Sequence, residues 1–277
     1  MSVPTNAHDT LANVHEFEVV ENKCVADGIW RMRCNTALSG LLRPGQFVNV
    51  DVPNDASHIL RIPLSFSKAD AKNNELELVY AVVGEGTKRL SAMCVGDTST
   101  MVGPCGNGWS LPKSDGRSLL VAGGVGLPPI MACARMLAEK GIGFDVIVGA
   151  QTASRHVEPI LDELRALPMQ QGCDCARTLV LTTDDGTRGM RGFVTTAMQD
   201  MLAERSYATC YSCGPNIMMR GVAELAHSQN IACQVSLERM MGCGFGACSC
   251  CNVELVGGGY ALCCSDGPVF DASEVVL

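Results

Sequence analysis

The chain of 277 residues lacks several features that define whole classes of protein. No run of about 18 apolar residues occurs, so we expect no membrane-spanning helix. Basic residues are outnumbered by acidic ones, and the formal net charge of −8 argues against nucleic acid or an anionic membrane surface as the main partner. The N-terminus has neither a basic start nor an apolar core, so we expect no signal peptide and a cytoplasmic protein.

Histidine is also scarce, and no group of side chains resembles an acid–base site for a small substrate. The five histidines are scattered along the chain, and we expect them on the surface: His8, His15, His58, His156 and His227. If the protein is an enzyme, its chemistry therefore has to come from bound cofactors rather than from a catalytic side chain.

Cysteine, in contrast, is abundant, with 16 residues. In a reducing cytosol we expect thiols or metal ligands rather than disulfides. Nine of them show no ligand spacing, and we interpret these as small core residues: Cys24, Cys34, Cys94, Cys105, Cys133, Cys173, Cys175, Cys210 and Cys233.

Six of the remaining seven cysteines lie in the last forty residues, and the seventh is Cys213. Cys243, Cys248 and Cys251 have four and then two residues between them, and the pair Cys263-Cys264 follows a dozen residues on. This is the C-x4-C-x2-C…C spacing of a plant-type 2Fe–2S cluster, in which four thiolates converge on two irons. Glycines at 242, 244 and 246 let the loop wrap closely and turn its amides toward the sulfurs.

Two other interpretations of this segment remain open. Structural zinc sites pair their thiolates as short C-x2-C knuckles, which the Gly-rich first gap fits poorly, and buried core cysteines need no metal at all. Within the cluster interpretation, spacing favours Cys251 over its neighbour Cys250. Spacing alone does not choose between Cys263 and Cys264 as the fourth ligand.

Before this tail, the chain changes character once. Residues 15–112 contain short alternating strands, which predict a small antiparallel barrel interrupted by one helix, Gly84–Met93. A Pro/Gly/Ser-containing linker near 109–116 marks a boundary. From Ser118 to Ser236, strands and helices alternate, which predicts a parallel sheet covered on both faces.

Two loops of the second part are candidates for binding a dinucleotide. Gly123-Gly-Val-Gly126 lies between a buried strand and a helix, where a phosphate can approach backbone amides, although it is not the G-x-G-x-x-G fingerprint. Cys213-Gly-Pro215 ends a later strand of the same sheet, at the edge where ligands gather. Asp184-Asp-Gly186 also follows a strand end. Its carboxylates could bind a ribose hydroxyl, or the segment could be a turn without a binding role. Tight structural turns are the alternative for all three.

The barrel carries two candidate flavin-binding motifs. Arg61-Ile-Pro-Leu-Ser65 lies on a strand, with Arg61 and Ser65 expected on the same face. A guanidinium can hold a pyrophosphate and a hydroxyl can bond a flavin edge. Taken alone, however, the pentapeptide favours a surface arginine and a routine strand serine, since exposed arginines are common. Gly84-Glu-Gly-Thr87 adds a second phosphate cradle at a helix start.

A resemblance to the ferredoxin–NADP reductase superfamily rests on four of these motifs taken together: Arg61-x-Pro-Leu-Ser65, Gly84-x-Gly-Thr87, Gly123-Gly-x-Gly-x-Pro-Pro129 and Cys213-Gly-Pro215. The tail narrows the resemblance, because Cys243 to Cys251, followed by Cys264-Ser-Asp-Gly-Pro-Val-Phe270, is similar to the electron-transfer subunits of dihydroorotate dehydrogenase B. In that family the cysteine directly ahead of the x-Asp-Gly-Pro-Val-Phe run is the fourth ligand, which here is Cys264. Phe66 departs from the family pattern, where a smaller aliphatic residue is common.

The resemblance implies three segments: an FAD-binding β-barrel at 12–112, an NAD-binding α/β domain at 113–236 and a 2Fe–2S segment at 237–277. It implies FAD, NAD(H) and one 2Fe–2S cluster. The implied cofactor-binding residues are Arg61, Pro63, Leu64, Ser65, Val79, Tyr80, Gly84, Gly86, Thr87, Gly123, Gly124, Gly126, Pro128, Cys213, Gly214 and Pro215. The implied metal ligands are Cys243, Cys248, Cys251 and Cys264.

It also implies a partner, an FMN-containing dihydroorotate dehydrogenase catalytic subunit, in a heterotetramer of two plus two. The predicted function is electron transfer between NADH and that FMN, through FAD and the cluster, in pyrimidine biosynthesis. The alternatives are a related FAD/2Fe–2S subunit of a bifurcating NAD(P)H–ferredoxin or sulfide oxidoreductase, a non-catalytic redox sensor, and a zinc-stapled binding module. Selectivity for NAD over NADP stays open, because Ser154 and Arg155 could meet a 2′-phosphate.

Overall fold

The computed structural model describes residues 12–52, 60–168 and 177–277. Its first part is a closed barrel of six antiparallel strands in the order β1-β2-β5-β4-β3-β6, which confirms the predicted barrel. The strands are β1 (Asn13–Ala26), β2 (Ile29–Asn35), β3 (Phe47–Val50), β4 (Ile62–Asp70), β5 (Glu75–Ala81) and β6 (Thr98–Cys105). The helix α1 (Glu85–Ser91) connects β5 to β6.

Strand β6 is absent from the sequence-based interpretation. It begins with Thr98-Ser-Thr100 and ends in Gly103-Pro-Cys105, so its apolar alternation covers few residues and a proline lies inside it. Its pairing with β1 and β3 nevertheless closes the barrel. Closure removes exposed strand edges, and that gain depends on long-range pairing rather than on local pattern.

The second part is a seven-stranded sheet in the order β10-β9-β8-β7-β11-β12-β15. Its parallel strands are β7 (Ser118–Gly123), β8 (Phe144–Ala150), β9 (Leu179–Thr183), β10 (Met190–Arg191), β11 (Thr209–Cys213) and β12 (Ala232–Ser236). Its helices are α2 (Leu127–Glu139), α3 (Glu158–Ala166), α4 (Val194–Glu204) and α5 (Asn216–Ser228). Strands β7, β8 and β11 are almost wholly buried, as expected for a sheet covered on both faces.

The C-terminal segment adds to this sheet instead of forming a separate unit. Its strands are β13 (Asn252–Glu254) and β14 (Tyr260–Leu262), which form a hairpin, and β15 (Val269–Asp271). Strand β15 pairs antiparallel with β12, with Val235 opposite Phe270. The predicted parallel sheet therefore has one antiparallel edge strand, because the tail folds back along β12 after its cysteine loop.

Two expectations about scattered residues are wrong in part. Cys24 and Cys94 are exposed, whereas the other described cysteines outside the tail motif and the Cys213 loop are buried. His156 is 3% exposed and is not a surface residue. Burial and the nearby positive charge of Arg188 lower its pKa. His8, His58, Cys173 and Cys175 lie outside the described residues. Among the described helices, none combines the length and apolar character needed to cross a bilayer.

Candidate functional site

A cleft of about 520 Å³ lies where the barrel, the sheet and the C-terminal segment meet. Each part contributes one stretch of its wall. The lining residues are Leu60, Arg61 and Pro63 at the start of β4, Gly214, Pro215 and Asn216 after β11, and Glu238, Arg239, Met240 and Met241 after β12. Two of the motifs singled out in the sequence therefore face each other across one space, although they are about 150 residues apart in the chain.

The barrel motif stands at the near wall of this cleft. Arg61 lies immediately before β4, and its guanidinium donates to the Thr100 carbonyl oxygen and to Thr100 Oγ1, each at 3.0 Å. Pro63, Leu64 and Ser65 are all half-buried, and β4 pairs residue by residue with β3 over this stretch. This register runs from Ile62 to Ser65 and ends one residue short of Arg61, so the shared face expected for Arg61 and Ser65 from their spacing stays a prediction.

The two predicted residues of the neighbouring strand β5 point to different places. Tyr80 is 2% exposed, packs in the barrel core and donates its hydroxyl to Asn22 Oδ1 at 3.1 Å. Val79 faces outward and packs with Leu127 at the contact between barrel and sheet. The Tyr80 side chain is therefore committed to the barrel, and any contact that it makes with a flavin has to come from its backbone.

The second barrel motif forms the start of α1. Gly84 is the N-cap, and Thr87 Oγ1 accepts from the backbone N–H groups of Val83 and Gly84 at 3.0 and 3.2 Å. A Cβ at Gly84 would meet nothing within 4 Å, so the approach to this helix start is open. Gly86 lies buried in the first turn. The Thr87 side chain therefore stabilises the first turn of α1, and the absence of a side chain at Gly84 leaves the N-terminus of α1 accessible.

The nucleotide loop after β7 is packed tightly against the loop after β11. A Cβ at Gly126 would overlap the Cys213 carbonyl oxygen, and one at Gly123 would overlap the Met218 side chain. Gly124 differs, because its φ of +54° needs glycine while its Cβ direction is open. Two of the three glycines serve close approach of the loops, and the third leaves backbone exposed at the ligand edge of the sheet.

The flanking residues complete this pair of loops. Pro128 lies in the first turn of α2, where a missing N–H costs nothing. Gly214 has a φ of +155° and packs on the Gly123 backbone, and Pro215 is the N-cap of α5. The thiol of Cys213 donates to the Ser236 carbonyl oxygen at 3.5 Å. The helix starts of α2 and α5 therefore flank the same opening.

A hydrogen-bonded turn joins two more loops at the ligand edge. Asp185 accepts from the N–H and the hydroxyl of Thr187, and Thr187 Oγ1 accepts from the Ala153 N–H at 2.9 Å. The loop after β8, which contains Ser154 and Arg155, is thereby fixed to the Asp184-Asp-Gly186 turn. Asp185 is a structural residue of this turn, and the sequence does not reveal that role.

The four predicted metal ligands are brought together as two pairs. The Gly246 N–H donates to Cys264 Sγ at 3.1 Å, and the Cys264 N–H donates to Cys251 Sγ at 3.4 Å. Burial and a hydrogen bond with the Cys251 thiol raise the pKa of Cys264 to about 12. At Cys243 burial opposes the change, yet hydrogen bonds from backbone amides and from the Cys248 side chain lower the pKa to about 7.

This pairing fits a two-iron cluster. Within the described ranges, no group of three or more His, Cys, Asp or Glu side chains could hold one metal ion. In a 2Fe–2S cluster each iron takes two thiolates from the protein, so two separate pairs are what such a cluster requires. Amides directed at the sulfurs supply the donors that stabilise its negative charge.

The two tail cysteines that are not predicted ligands, Cys250 and Cys263, differ in their burial and in their contacts. Cys263 is fully buried and donates to the Leu237 carbonyl oxygen at 3.2 Å, which holds it in the core under the loop. Cys250 is exposed. Cys264 belongs to the turn 262–267, which the Asp266 carboxylate closes by accepting from the Leu262 N–H at 2.6 Å. The choice of Cys264 over Cys263 is thus supported by which thiol contacts Cys251.

Two residues that the sequence analysis did not single out attach the tail to the barrel. Asn107 donates through Nδ2 to the carbonyl oxygens of Asp266 and Val269, at 2.7 and 2.8 Å, and accepts from the Val269 N–H at 3.0 Å. Asn49 donates to the Cys243 carbonyl oxygen at 3.5 Å. Neither stands in a motif, and only their long-range contacts reveal them.

Comparisons with known proteins agree with this arrangement. Residues 238–276 match the iron–sulfur cluster binding domain of dihydroorotate dehydrogenase B, and residues 120–224 match the oxidoreductase NAD-binding domain. The electron transfer subunit of dihydroorotate dehydrogenase B (NAD(+)) from Geobacillus sp. (strain WCH70) is 35% identical, covering 95% of this chain and 98% of that one. The subunit of that name from Streptococcus pneumoniae (strain ATCC BAA-255 / R6) is 33% identical, covering 96% of this chain and 100% of its own length.

Solved structures share the fold over most or nearly all of the chain. An NADH-dependent reduced ferredoxin–NADP oxidoreductase, studied for flavin-based electron bifurcation, superimposes with a TM-score of 0.81 at 29% identity, covering 98% of this chain and 91% of that chain. A ferredoxin reductase of carbazole 1,9a-dioxygenase shares the fold at a TM-score of 0.67 and 18% identity, covering 80% and 68%. On the identity and coverage of its relatives, the chain belongs to the family of dihydroorotate dehydrogenase B electron transfer subunits.

Proposed function

We propose that this chain passes electrons between NADH and the FMN of a dihydroorotate dehydrogenase catalytic subunit, through FAD and a 2Fe–2S cluster, in pyrimidine biosynthesis. The observation that carries the proposal is the cleft shared by Arg61 and Pro63, by Gly214 and Pro215, and by the stretch that leads into the cysteine loop. Flavin, nicotinamide and cluster elements have to meet at one place if electrons are to pass between them.

The cofactors supply the redox chemistry, because a nicotinamide exchanges a hydride, a 2Fe–2S cluster carries single electrons, and a flavin can do both. The chain binds the three cofactors and sets the distances between them. In this proposal Arg61, Ser65 and the α1 start bind FAD, the glycine loop and Cys213-Gly-Pro215 bind NADH, and Cys243, Cys248, Cys251 and Cys264 bind the cluster. The other predicted cofactor-binding residues are also proposed to contact FAD or NADH. For Tyr80 we propose a contact through its backbone only, because its side chain is buried in the barrel.

The partner is proposed to dock where the cysteine loop reaches the surface. Met240 is 79% exposed and Phe245 is 55% exposed, on either side of Cys243. Large apolar side chains that remain exposed beside a redox centre are typical of an interaction surface. The stoichiometry of two plus two, the FMN of the partner and the cytoplasmic location belong to the proposal as well.

The test is reconstitution with the FMN subunit of the same organism. The pure complex should contain FAD, FMN and two irons per copy of this chain, and should couple dihydroorotate oxidation to NAD reduction. Met240→Glu with Phe245→Glu should weaken the complex at least tenfold. Phe193→Glu is the matched control, because Phe193 is 66% exposed and follows β10 at the opposite edge of the sheet. A chain without flavin or iron would defeat the proposal.

A second candidate is a subunit of a bifurcating NAD(P)H–ferredoxin oxidoreductase. The 0.81 TM-score and 29% identity to the NADH-dependent reduced ferredoxin–NADP oxidoreductase favour it. Because fold and cofactors would be shared, the partner decides between the two. NADH-linked activity that needs dihydroorotate and the FMN subunit supports the first function, whereas ferredoxin-dependent NADP reduction with another flavoprotein supports the second.

A further inference from the structure

Asn49 is a polar side chain on an otherwise apolar outer face of β3. Val48 and Val50 point into the barrel core, whereas Phe47 packs in the cluster of buried residues that contains Cys251 and Cys264. Asn49 alternates with the valines, so it shares the outward face with Phe47. It is 2% exposed.

Asn49 contacts both the proposed flavin-binding strand and the proposed cluster-binding loop. In the β3–β4 ladder it lies opposite Pro63 of the flavin-binding motif. Across the other side its Nδ2 donates to the Cys243 carbonyl oxygen at 3.5 Å. A Cβ at Gly244 would overlap Asn49 Nδ2, so the amide fills the space that a side chain on the cysteine loop would need.

Burial of this amide carries a cost that packing alone does not explain. Asn49 Oδ1 is buried without a hydrogen-bond partner in the part of the chain that the structure describes. An unsatisfied buried polar atom costs about 1–3 kcal/mol, so an apolar residue of similar size would suit a purely structural position better. The amide at this position therefore provides a donor, Nδ2, to the cysteine loop at the expense of its acceptor, Oδ1.

We propose that Asn49 is a positioning residue of the iron–sulfur site, whose side-chain amide fixes the Cys243-Gly244 turn against the flavin strand and raises the reduction potential of the bound cluster. The Asn49 N–H is bonded to the carbonyl oxygen of Cys243 and not to a sulfur, so its dipole acts beside this ligand. Hydrogen bonds and burial around the ligands set the potential of such clusters, and a donor dipole next to Cys243 favours the negative charge that reduction adds. The inference rests on the proposed function and its four cluster ligands. It assigns to Asn49, a residue of the barrel, the role of positioning one of those ligands.

The experiment compares Asn49→Leu and Asn49→Asp with wild type in the assembled complex. Leucine keeps the branched shape and removes both the donor and the acceptor, and aspartate keeps the shape and adds a negative charge. The readouts are iron and FAD content and the cluster midpoint potential from an EPR-monitored redox titration. Asn22→Leu is the control, since Asn22 is a barrel asparagine that donates to the carbonyl oxygens of Leu90 and Met93 instead.

At the wild-type midpoint, the ratio of reduced to oxidised cluster should fall about tenfold in Asn49→Leu, which equals about 59 mV for a one-electron couple. Asn49→Asp should shift further in the same direction, and Asn22→Leu should match wild type. Loss of iron from Asn49→Leu with FAD retained also supports the proposal, because the turn is then no longer held.

Three results would overturn it. The first is a wild-type potential in both Asn49 variants at full iron content. The second is a shift confined to Asn49→Asp, which would show an effect of added charge and none of the native amide. The third is equal loss of FAD and iron in Asn49→Leu and Asn22→Leu, which would show a structural role only. Absence of iron from wild type would instead defeat the proposed function.

Discussion

The carbonyl oxygen of Cys213 occupies the space into which a side chain at Gly126 would project. Two loops from different strands are thereby packed backbone to backbone at the ligand edge of the sheet. The contact explains why glycine is needed in the loop after β7 even apart from any phosphate. It also makes the geometry of the loop after β7 depend on that of the loop after β11, the two loops that we propose bind NADH.

Gly126→Ala should therefore separate the two loops. We expect about 1–3 kcal/mol of destabilisation from overpacking, and at least a tenfold drop in the rate constant for FAD reduction at low NADH concentration. Stopped-flow reduction and urea unfolding measure the two effects. Gly257→Ala is the control, because nothing lies within 4 Å of a Cβ at Gly257. Unchanged NADH binding in Gly126→Ala would contradict the expectation.

Cys264→Ser should impair retention of the cluster, because Cys264 contacts Cys251 and accepts from the Gly246 amide. Iron content, visible absorbance and EPR of the purified chain measure this. Cys250→Ser should keep full iron, since the neighbouring Cys251 has the ligand spacing and contacts Cys264. Cys263→Ser should also keep iron, although it alters a buried contact with Leu237. The reverse outcome at Cys263 and Cys264 would reassign the fourth ligand.

Asn107→Ala should loosen the tail from the barrel. It removes three hydrogen bonds and leaves groups of Asp266 and Val269 without that partner, which we expect to cost about 2–4 kcal/mol in the free energy of unfolding. Urea titration monitored by tryptophan fluorescence measures the free energy of unfolding. The visible absorbance of the cluster should also decay faster in Asn107→Ala than in wild type. Asn73→Ala is the control, because Asn73 bonds only Asp70 in an exposed turn. Equal stability of the two variants would contradict the role of Asn107.

The buried carboxylate of Asp145 should make stability depend on pH in acid. Burial alone would raise its pKa, but hydrogen bonds from Arg117, the Thr178 N–H and Arg205 hold the pKa below its usual value. A depressed pKa contributes stability above the unfolded-state value, near 3.9, and that contribution is lost as pH falls below about 4.

Asp145→Asn should accordingly cost about 3–5 kcal/mol at pH 7, since it leaves the arginines without their buried counter-charge. The difference from wild type should shrink as pH falls below about 4. Urea midpoints measured between pH 7 and pH 3 test both points. Asp162→Asn is the control, because Asp162 pairs with Arg165 at the surface and its side chain is 71% exposed. A difference that does not vary with pH would exclude ionised Asp145 as its source.

Prediction from sequence succeeded for the fold, where the signal is local. The barrel, the sheet of alternating strands and helices, and the helix predicted at Gly84–Met93 are all present, the last as α1 (Glu85–Ser91). The cofactor-binding roles of the glycine loop, the Cys213-Gly-Pro215 loop and the spaced cysteines stay predictions. Prediction failed at β6 and β15, whose pairing partners are far away in the chain. It also misplaced His156, because burial of a single polar residue leaves no periodic signal.

The order of residues alone determined that this chain joins a barrel, a nucleotide-binding sheet and a cysteine-rich tail, since hydrophobic period, turn glycines and ligand spacing are properties of short segments. Only the tertiary structure decided how these parts share one site. Asn49 and Asn107 acquire their contacts with the tail from residues about 160 to 190 positions away. Such contacts depend on how sheets and loops pack, which no local pattern records.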